Sequence, residues 1–340
     1  MTMTLLGKVN QIFKLNLRVS DQKETAVNYM KDRNISGESA VRFQLGFASD
    51  TWDFVKQHFK EDDKVLNELV ELGVLAKMQN GHRYDRFRNR VMFPIRDVQG
   101  QIVSFGGRIL GDGTPKYLNG AESSLFNKSE HLYGLFETLH VDDKPSRIVV
   151  VEGYIDVVMT HQCGVDYTVS CMGTSLTKQH LALLSEHTAE VVCCYDGDAA
   201  GEKAAIRTAL LSLANPQLTL KFATLPLGED PDTYIKDKGM AAFEQVLDNA
   251  IDANVLLMNV LANTCSTEHN TLVHQLNGLK SLLKECETPE QEIGLLEAFS
   301  EQFDVSMTAL NFVIAPGESE VKKSHDKPEN TTMGKPAFSI

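Results

Sequence analysis

The strongest constraint on the fold is a set of short apolar segments that alternates with helical segments along the middle of the chain. Residues 147–151 read RIVVV and residues 191–195 read VVCCY, and both are rich in β-branched or small apolar residues. A short run without polar alternation indicates a strand that is buried on both faces. In chain order, the pattern predicts a strand at 147–151, a helix at 155–163, a strand at 167–170, a helix at 177–185, a strand at 191–195, a helix at 199–213 and a strand at 218–224. Strands and helices in this order predict a parallel sheet that is covered on both faces.

The regions on either side follow other patterns. Amphipathic spacing predicts helices before the alternating region, and alternation around a glycine-containing turn predicts a hairpin. In chain order, the sequence predicts helices over 1–75, notably at 24–33 and 63–72, a β-hairpin from Tyr84 to Leu110, a loop at 114–120, helices without strands over 241–313, and a disordered polar tail or linker at the C-terminus. We therefore expect an α/β protein with an α+β N-terminal part and a helical C-terminal part.

Composition narrows the class of protein. The chain has 340 residues and a net charge of −13, which disfavours a general affinity for nucleic acid. No apolar run approaches the roughly 18 residues that a membrane helix needs, and no signal peptide is evident, so we expect a cytoplasmic protein without a membrane partner. The six cysteines form no C-x-x-C pair, so the sequence predicts no zinc ribbon. Cys193 and Cys194 lie in an apolar run and are expected to be buried thiols.

One segment is basic within this acidic chain. Between Lys77 and Lys128 there are nine Lys or Arg residues against four acidic ones, a local charge of +5. Such a segment is usually a solvated surface. It is also what a groove for a polyanion requires, and the charge count leaves both interpretations open.

Acidic residues follow three of the predicted strands. Glu152 comes directly after one strand, Asp196 and Asp198 after another, and Asp230 and Asp232 after a third. Because the carboxyl ends of parallel strands meet at one edge of a sheet, we expect these side chains to lie together. Clustered carboxylates repel one another unless a cation lies between them, and oxygen ligands suit Mg²⁺ or Mn²⁺. Taken singly, each motif is more often a turn or a helix N-terminus.

Several longer motifs resemble a known family. VVVEGYIDVV (149–158) and CCYDGDAAGEKAA (193–205) are similar to the TOPRIM domain shared by primases, topoisomerases and some nucleases. Six further motifs resemble bacterial DnaG-type replicative primases in their order along the chain: YDRFRNRVMFPIRD (84–97), SFGGR (104–108), TPKYLN (114–119), SLFNKSEHLYGL (124–135), MGTS (172–175) and GEDPDT (228–233). The resemblance covers residues 5–250.

The resemblance implies roles for individual residues. The family's metal ligands correspond here to Glu152, Asp196 and Asp198, with Asp230, Asp232 and Asp156 in support. Residues that bind the nucleotide or the template correspond to Arg33, Arg86, Arg88, Arg108, Lys116, Asn119 and Lys128. It also implies four units: a basic α+β subdomain at 1–128, a TOPRIM catalytic subdomain at 129–240, a helical subdomain at 241–314 and a disordered tail or linker at 315–340.

The implied activity is the synthesis of RNA primers from ribonucleoside triphosphates on single-stranded DNA, with two or more Mg²⁺ or Mn²⁺ ions. A replicative helicase is the expected partner of full-length members. We expect no zinc domain and no helicase-docking domain in this chain. Ala199 departs from the pattern, since many members have a basic residue there. The alternatives are a TOPRIM nuclease, which the basic N-terminal half disfavours, and a non-catalytic DNA-binding fragment, which the intact carboxylates disfavour.

Overall fold

The computed structural model describes residues 3–173, 175–215, 217–263 and 272–314. Its helices are α1 (Leu5–Val19), α2 (Lys23–Asp32), α3 (Gly37–Arg42), α4 (Phe54–His58), α5 (Asp63–Glu71), α6 (Leu135–Val141), α7 (Tyr154–Gln162), α8 (Lys178–Ser185), α9 (Ala199–Leu213), α10 (Pro231–Lys238), α11 (Met240–Asp248), α12 (Ala253–Asn263), α13 (Leu272–Leu283), α14 (Pro289–Phe303) and α15 (Met307–Ile314). Its strands are β1 (Gly46–Ala48), β2 (Leu75–Lys77), β3 (Arg83–Asp85), β4 (Arg90–Arg96), β5 (Ile102–Ile109), β6 (Tyr117–Asn119), β7 (Ile148–Val151), β8 (Thr168–Ser170), β9 (Glu190–Cys194), β10 (Thr219–Ala223) and β11 (Ile251–Asp252).

The central sheet confirms the predicted α/β class. Its order is β11-β10-β9-β7-β8, and the four strands from β10 to β8 pair in parallel. Alternate residues of β7 enter two different cores, because successive side chains of a strand point to opposite faces. Val149 and Val151 belong to one apolar core, and Ile148 and Val150 belong to the other. All four are fully buried, which explains why the strand has no polar position.

The N-terminal half forms a second, antiparallel sheet with the order β1-β4-β5-β6. The predicted hairpin is present as β4 and β5, with Phe93 opposite Gly106 and an irregularity at Ile95 and Arg96. Gly106 is required because a Cβ atom there would lie 2.3 Å from the ring of Tyr154. Tyr154 begins α7 of the central sheet, so the two sheets meet at this contact.

Four short strands of the described chain were not predicted. β1 lies in the region expected to be helical, β2 begins at the end of that region, β6 lies in the expected loop, and β11 lies in the region expected to have no strand. Each has two or three residues and pairs with a single neighbouring strand. Periodicity cannot identify a strand of this length, because its position is fixed by the neighbouring strand.

Three further predictions concern two cysteines, membrane helices and the C-terminal tail. Cys193 and Cys194 are buried thiols, as expected. No helix within the described ranges is long and apolar enough to cross a membrane. The tail predicted at 315–340 lies outside the described residues.

Candidate active site

Acidic side chains from three chain segments line one cavity of about 270 Å³ at the carboxyl edge of the central sheet. Glu152 follows β7, Asp196 follows β9, and Asp230 and Asp232 lie at the start of α10. Asp156 projects from the first turn of α7. The lining residues are Arg33, Lys116, Tyr117, Glu152, Gly153, Tyr154, Ile155, Asp156, Met172, Gly173, Asp196, Asp230 and Asp232. The structure therefore brings together five of the six predicted acidic residues.

Backbone hydrogen bonds fix the acidic segments against one another. Glu152 Oε1 accepts a hydrogen bond of 3.2 Å from the backbone N–H of Asp196. The Glu152 carbonyl accepts one of 2.6 Å from Ser170 Oγ on the neighbouring strand. Asp230 is the N-cap of α10, and its carboxylate accepts from the backbone N–H of Thr233 at 2.7 Å. The carboxylates are thus held by the ends of β7, β8 and β9 and by the start of α10.

Gly197 allows two of the acidic segments to touch. Its N–H donates to the Glu229 carbonyl and its carbonyl accepts from the N–H of Gly228, both at 2.8 Å. A Cβ atom on Gly197 would lie 2.2 Å from the Pro226 carbonyl oxygen. Only glycine permits this approach, so packing requires the central residue of the D-G-D sequence.

The cluster disfavours negative charge. Burial, followed by the charges of Asp196, Asp230 and Asp232, raises the pKa of Asp156 to about 8. Burial and the neighbouring Glu152 raise the pKa of Asp196 to about 7. Burial also raises the pKa values of Glu152 and Asp232. A cation among these groups would relieve the repulsion and the desolvation together.

Asp196 carries a further indication of a cation. Its Oδ1 atom is buried and has no hydrogen-bond partner among the described residues. With only carboxylate oxygens available, the residues present fit a hard divalent ion. Across the described ranges, however, no three acidic, histidine or cysteine side chains are already arranged so that they could hold a metal ion. The individual ligands therefore stay a prediction.

Asp198 lies outside the lining of this cavity. Its Oδ1 atom caps α9 by accepting from the N–H groups of Ala200 and Gly201, at 2.8 and 2.9 Å. Asp198 instead lines a larger cavity of about 630 Å³ between α9 and α12. Its charge still acts on the site, because it raises the pKa values of Glu152 and Asp196.

Two predicted cationic residues reach the acidic cavity. Arg33, at the end of α2, pairs with Asp232 through an Nη1–Oδ2 distance of 3.4 Å. Lys116 precedes β6, and its positive charge offsets part of the rise that burial and the neighbouring carboxylates cause in the pKa of Asp196. The cavity therefore combines carboxylates with cations, the two kinds of group that a bound triphosphate and its metal ions require.

The other four predicted basic residues lie outside the cavity lining, and two of them lie over aromatic rings. The Arg88 guanidinium lies 3.8 Å from the centre of the Trp52 ring, which is 57% exposed. Arg108 lies 5.3 and 5.5 Å from the rings of Tyr29 and Tyr117. Stacking orients a guanidinium without neutralising it, so these cations stay available to phosphates.

Arg86 and Lys128 are held mainly through backbone atoms. Arg86 Nη2 donates to the Asn119 carbonyl at 3.3 Å. The backbone N–H of Lys128 donates to Glu122 Oε1, and its carbonyl accepts from Nε2 of the buried His180 at 2.8 Å. Within the described chain, the loop that carries Lys128 is thus fixed on the central subdomain.

Two members of the basic segment are structural. Arg90 is 5% exposed and donates to the carbonyls of Gly107 and Pro115, at 3.0 and 3.1 Å. Arg96 is also buried and pairs with Glu137. Neither side chain belongs to a solvated surface, so the charge count of the segment overstates its basic surface.

Comparisons with known proteins agree with this architecture. Residues 12–139 match the family model described as DNA primase catalytic core, N-terminal domain, and residues 149–235 match a Toprim-like model. A DNA primase domain from Pseudomonas aeruginosa is 34% identical with a TM-score of 0.83, and the alignment covers 91% of this chain and 98% of that one. The chain belongs to the DnaG primase family. A DnaG catalytic domain bound to single-stranded DNA is 37% identical with a TM-score of 0.74, covering 87% of this chain and 96% of that one.

The likeness to complete primases is partial. The DNA primase of Pasteurella multocida is 40% identical over 308 residues, which are 86% of this chain and 52% of that protein. The chain spans about half the length of the curated relatives that it matches. Membership of the DnaG family and the Toprim match imply dependence on a divalent metal.

The DnaG resemblance in the sequence did not identify the aromatic residues of the site. Tyr154 and Tyr117 line the acidic cavity, and Trp52 stacks on Arg88. Tyr154 could have been noticed, because it lies between Glu152 and Asp156 in the motif. Trp52 is the only tryptophan, but nothing in its local sequence indicates that it meets Arg88, which is 36 positions away.

Proposed function

We propose that this chain is the catalytic core of a primase, an enzyme that synthesises RNA primers from ribonucleoside triphosphates on a single-stranded DNA template. One observation carries the proposal: five carboxylates from three chain segments share a cavity with Arg33 and Lys116. The ssDNA-bound structure of a relative supports single-stranded DNA as the template. In this proposal, residues 1–128 bind the template, 129–240 perform the chemistry, 241–314 form a helical subdomain and 315–340 form a tail or linker.

The reaction joins two nucleotides. The 3′-hydroxyl oxygen of the growing primer attacks the α-phosphorus of the next triphosphate, its proton passes to solvent, and the bond to the leaving pyrophosphate breaks. Two or more Mg²⁺ or Mn²⁺ ions would lower the pKa of the attacking hydroxyl and neutralise the charge that develops on pyrophosphate. Because the reaction is a direct displacement, no protein nucleophile is needed.

The residues of the chain have separate roles in this proposal. The principal metal ligands are Glu152, Asp196 and Asp198, supported by Asp156, Asp230 and Asp232. Arg33 and Lys116 bind the triphosphate, since they line the cavity beside the acidic cluster. Arg86, Arg88, Arg108 and Lys128 neutralise template phosphates, with Asn119 beside them. Contacts to phosphate carry no sequence information, which suits an enzyme that works on many templates.

Trp52 adds a stacking surface. Its exposed indole lies against Arg88, and the centre of the Tyr84 ring is 5.4 Å from that of Trp52. Aromatic rings and guanidinium planes bind unpaired bases without regard to sequence. We place a base of the template on this surface. We also propose a cytoplasmic location at the bacterial replication fork. The replicative helicase is the partner expected of full-length members of the family.

Extension of a short RNA annealed to a DNA template tests this function. The chain is incubated with Mn²⁺ and labelled nucleotides, and the products are resolved by length. We expect growth of the RNA by the nucleotides that the template specifies. Shortening of the RNA or the DNA would instead support the TOPRIM nuclease, and DNA binding without either change would support a non-catalytic fragment.

A further inference from the structure

The side chain of Asn119 is bonded to the protein through both of its amide atoms. Its Oδ1 atom accepts a hydrogen bond of 2.6 Å from the Tyr154 hydroxyl. Its Nδ2 atom donates one of 2.8 Å to the Met172 carbonyl. A direct contact with nucleic acid would have to compete with these bonds or use the one remaining N–H and lone pair. Asn119 is therefore placed to connect three segments of the protein.

One of these segments is a wall of the acidic cavity. Met172 and Gly173 both line the cavity, and both have a left-handed backbone, with φ of 59° and 80°. This conformation is unfavourable for a methionine, so surrounding contacts must maintain it. The Met172 N–H donates to Ser170 Oγ at 3.0 Å, and its carbonyl accepts from Asn119. The wall is thus held on both sides of Met172.

The other end of the connection is a fixed aromatic ring. Tyr154 is 2% exposed, and its ring lies 5.1 Å from that of Phe93 and 4.7 Å from that of Tyr133. Gly106 provides the space for it, as described above. Because packing fixes the ring, the hydroxyl presents a constant anchor to Asn119. Tyr154 is also two residues from Glu152, so the hydroxyl keeps a fixed position relative to the acidic cluster.

We propose that Asn119 is a positioning residue, which holds the Met172–Gly173 wall at a fixed distance from the carboxylates by bonding to Tyr154 and to Met172. The cavity then has the width that a nucleotide requires before the nucleotide arrives. The proposal rests on the proposed function, because it assumes that the cavity binds a nucleotide. It differs from the role that the family resemblance assigns to Asn119, in which this side chain touches nucleotide or template directly.

Two single variants and their combination test the connection. Asn119→Ala removes both hydrogen bonds, and Tyr154→Phe removes only the hydroxyl while keeping the packed ring. We expect each to weaken the binding of ATP, measured with Mn²⁺, by about tenfold, the size of one lost buried hydrogen bond. The double variant should also bind ATP about tenfold more weakly than the parent and no weaker than that, because both changes interrupt one connection. Affinity for single-stranded DNA should stay within about twofold of the parent.

Matched variants control for loss of an amide or a hydroxyl elsewhere. Asn215→Ala removes a side chain that donates to the Leu211 carbonyl at the end of α9. Tyr167→Phe removes a hydroxyl that bonds to Glu244 outside the cavity. Neither should change ATP or DNA affinity. If Asn119→Ala does not fold, as judged by thermal unfolding, Tyr154→Phe still tests the connection, because it removes a single atom.

The result that would overturn the proposal is specific. Asn119→Ala would weaken the binding of DNA or ATP while Tyr154→Phe binds both as the parent does, or the effects of the two changes on ATP affinity would multiply. This would mean direct contact between Asn119 and the ligand. Failure of the primase proposal is seen separately, as absence of primer extension by the parent, because the affinity for ATP is measured without turnover.

Discussion

At the scale of single residues, the site depends on carboxyl groups that are costly to ionise without a cation. Asp156 is half-buried beside three other acidic residues, and Asp196 has an oxygen without a partner among the described residues. The placement of these acids could be predicted, because parallel strands end at a common edge. The helix cap that Asp198 forms on α9 could not be predicted, because a D-x-D motif does not specify which of its two carboxylates bonds to the helix.

Replacement of Trp52 tests the stacking surface. Trp52→Ala should weaken the binding of single-stranded DNA between about fivefold and a hundredfold, since a stacked base contributes ~1–3 kcal/mol. Trp52→Phe should retain most of the affinity, because it keeps an aromatic face for Arg88 and for a base. Fluorescence anisotropy with a labelled oligonucleotide measures both. Equal affinity of Trp52→Ala and the parent would exclude a template base from this surface.

At the scale of elements, the site is made by the ends of strands and the loops that follow them. The strands β7 and β9 could be predicted because their apolar runs are continuous. The approach of the loop after β10 to the loop after β9 could not, because it depends on backbone contacts between Gly197, Gly228 and Glu229. Sequence alone also gave no sign that β6 carries Asn119 to the cavity wall, because a three-residue edge strand has no periodicity of its own.

Gly197→Ala tests the contact between the two loops. The added Cβ would lie 2.2 Å from the Pro226 oxygen, so the loops must separate. We expect a loss of about 1–3 kcal/mol in the free energy of unfolding, together with a large loss of primer extension. Gly37→Ala is the control, because no atom lies within 4 Å of its added Cβ. Parent-like unfolding by Gly197→Ala in urea would mean that the close approach is not needed.

At the scale of the whole molecule, an antiparallel sheet and a mainly parallel sheet share one apolar core. This core extends from Phe93 of the antiparallel sheet to Val151 of the parallel sheet. The class of each sheet could be predicted from hydrophobic periodicity. The way in which the sheets meet could not, because it depends on contacts such as that between Gly106 and Tyr154, which are distant in sequence.

Buried His161 makes the stability of this core dependent on pH. Burial lowers its pKa to about 3, from an ordinary value of 6.5, and its Nε2 atom bonds to the Thr168 carbonyl at 2.8 Å. Between these two pH values only the unfolded chain takes up the proton, so stability falls as the pH drops below 6.5. From pH 7 to pH 5 this contributes a loss of about 2 kcal/mol in the free energy of unfolding.

Urea unfolding of His161→Gln at both pH values measures this contribution. The glutamine cannot take up the proton. The difference in the free energy of unfolding between the parent and His161→Gln should therefore be about 2 kcal/mol smaller at pH 5 than at pH 7. His82→Gln, at an exposed position, should keep a constant difference from the parent. A difference between His161→Gln and the parent that does not change with pH would show that His161 does not remain neutral in the folded core.

The catalytic role of the acidic cavity is tested by extension of an annealed RNA primer with Mn²⁺, in which the parent is compared with Asp196→Asn and Asp237→Asn. Asp237 is an exposed acid on α10, the helix that carries Asp232. We expect template-directed extension by the parent and by Asp237→Asn, and a loss of about a hundredfold or more in Asp196→Asn at an unchanged melting temperature. Near-normal extension by a folded Asp196→Asn protein would contradict the assignment of the acidic cavity as the catalytic centre.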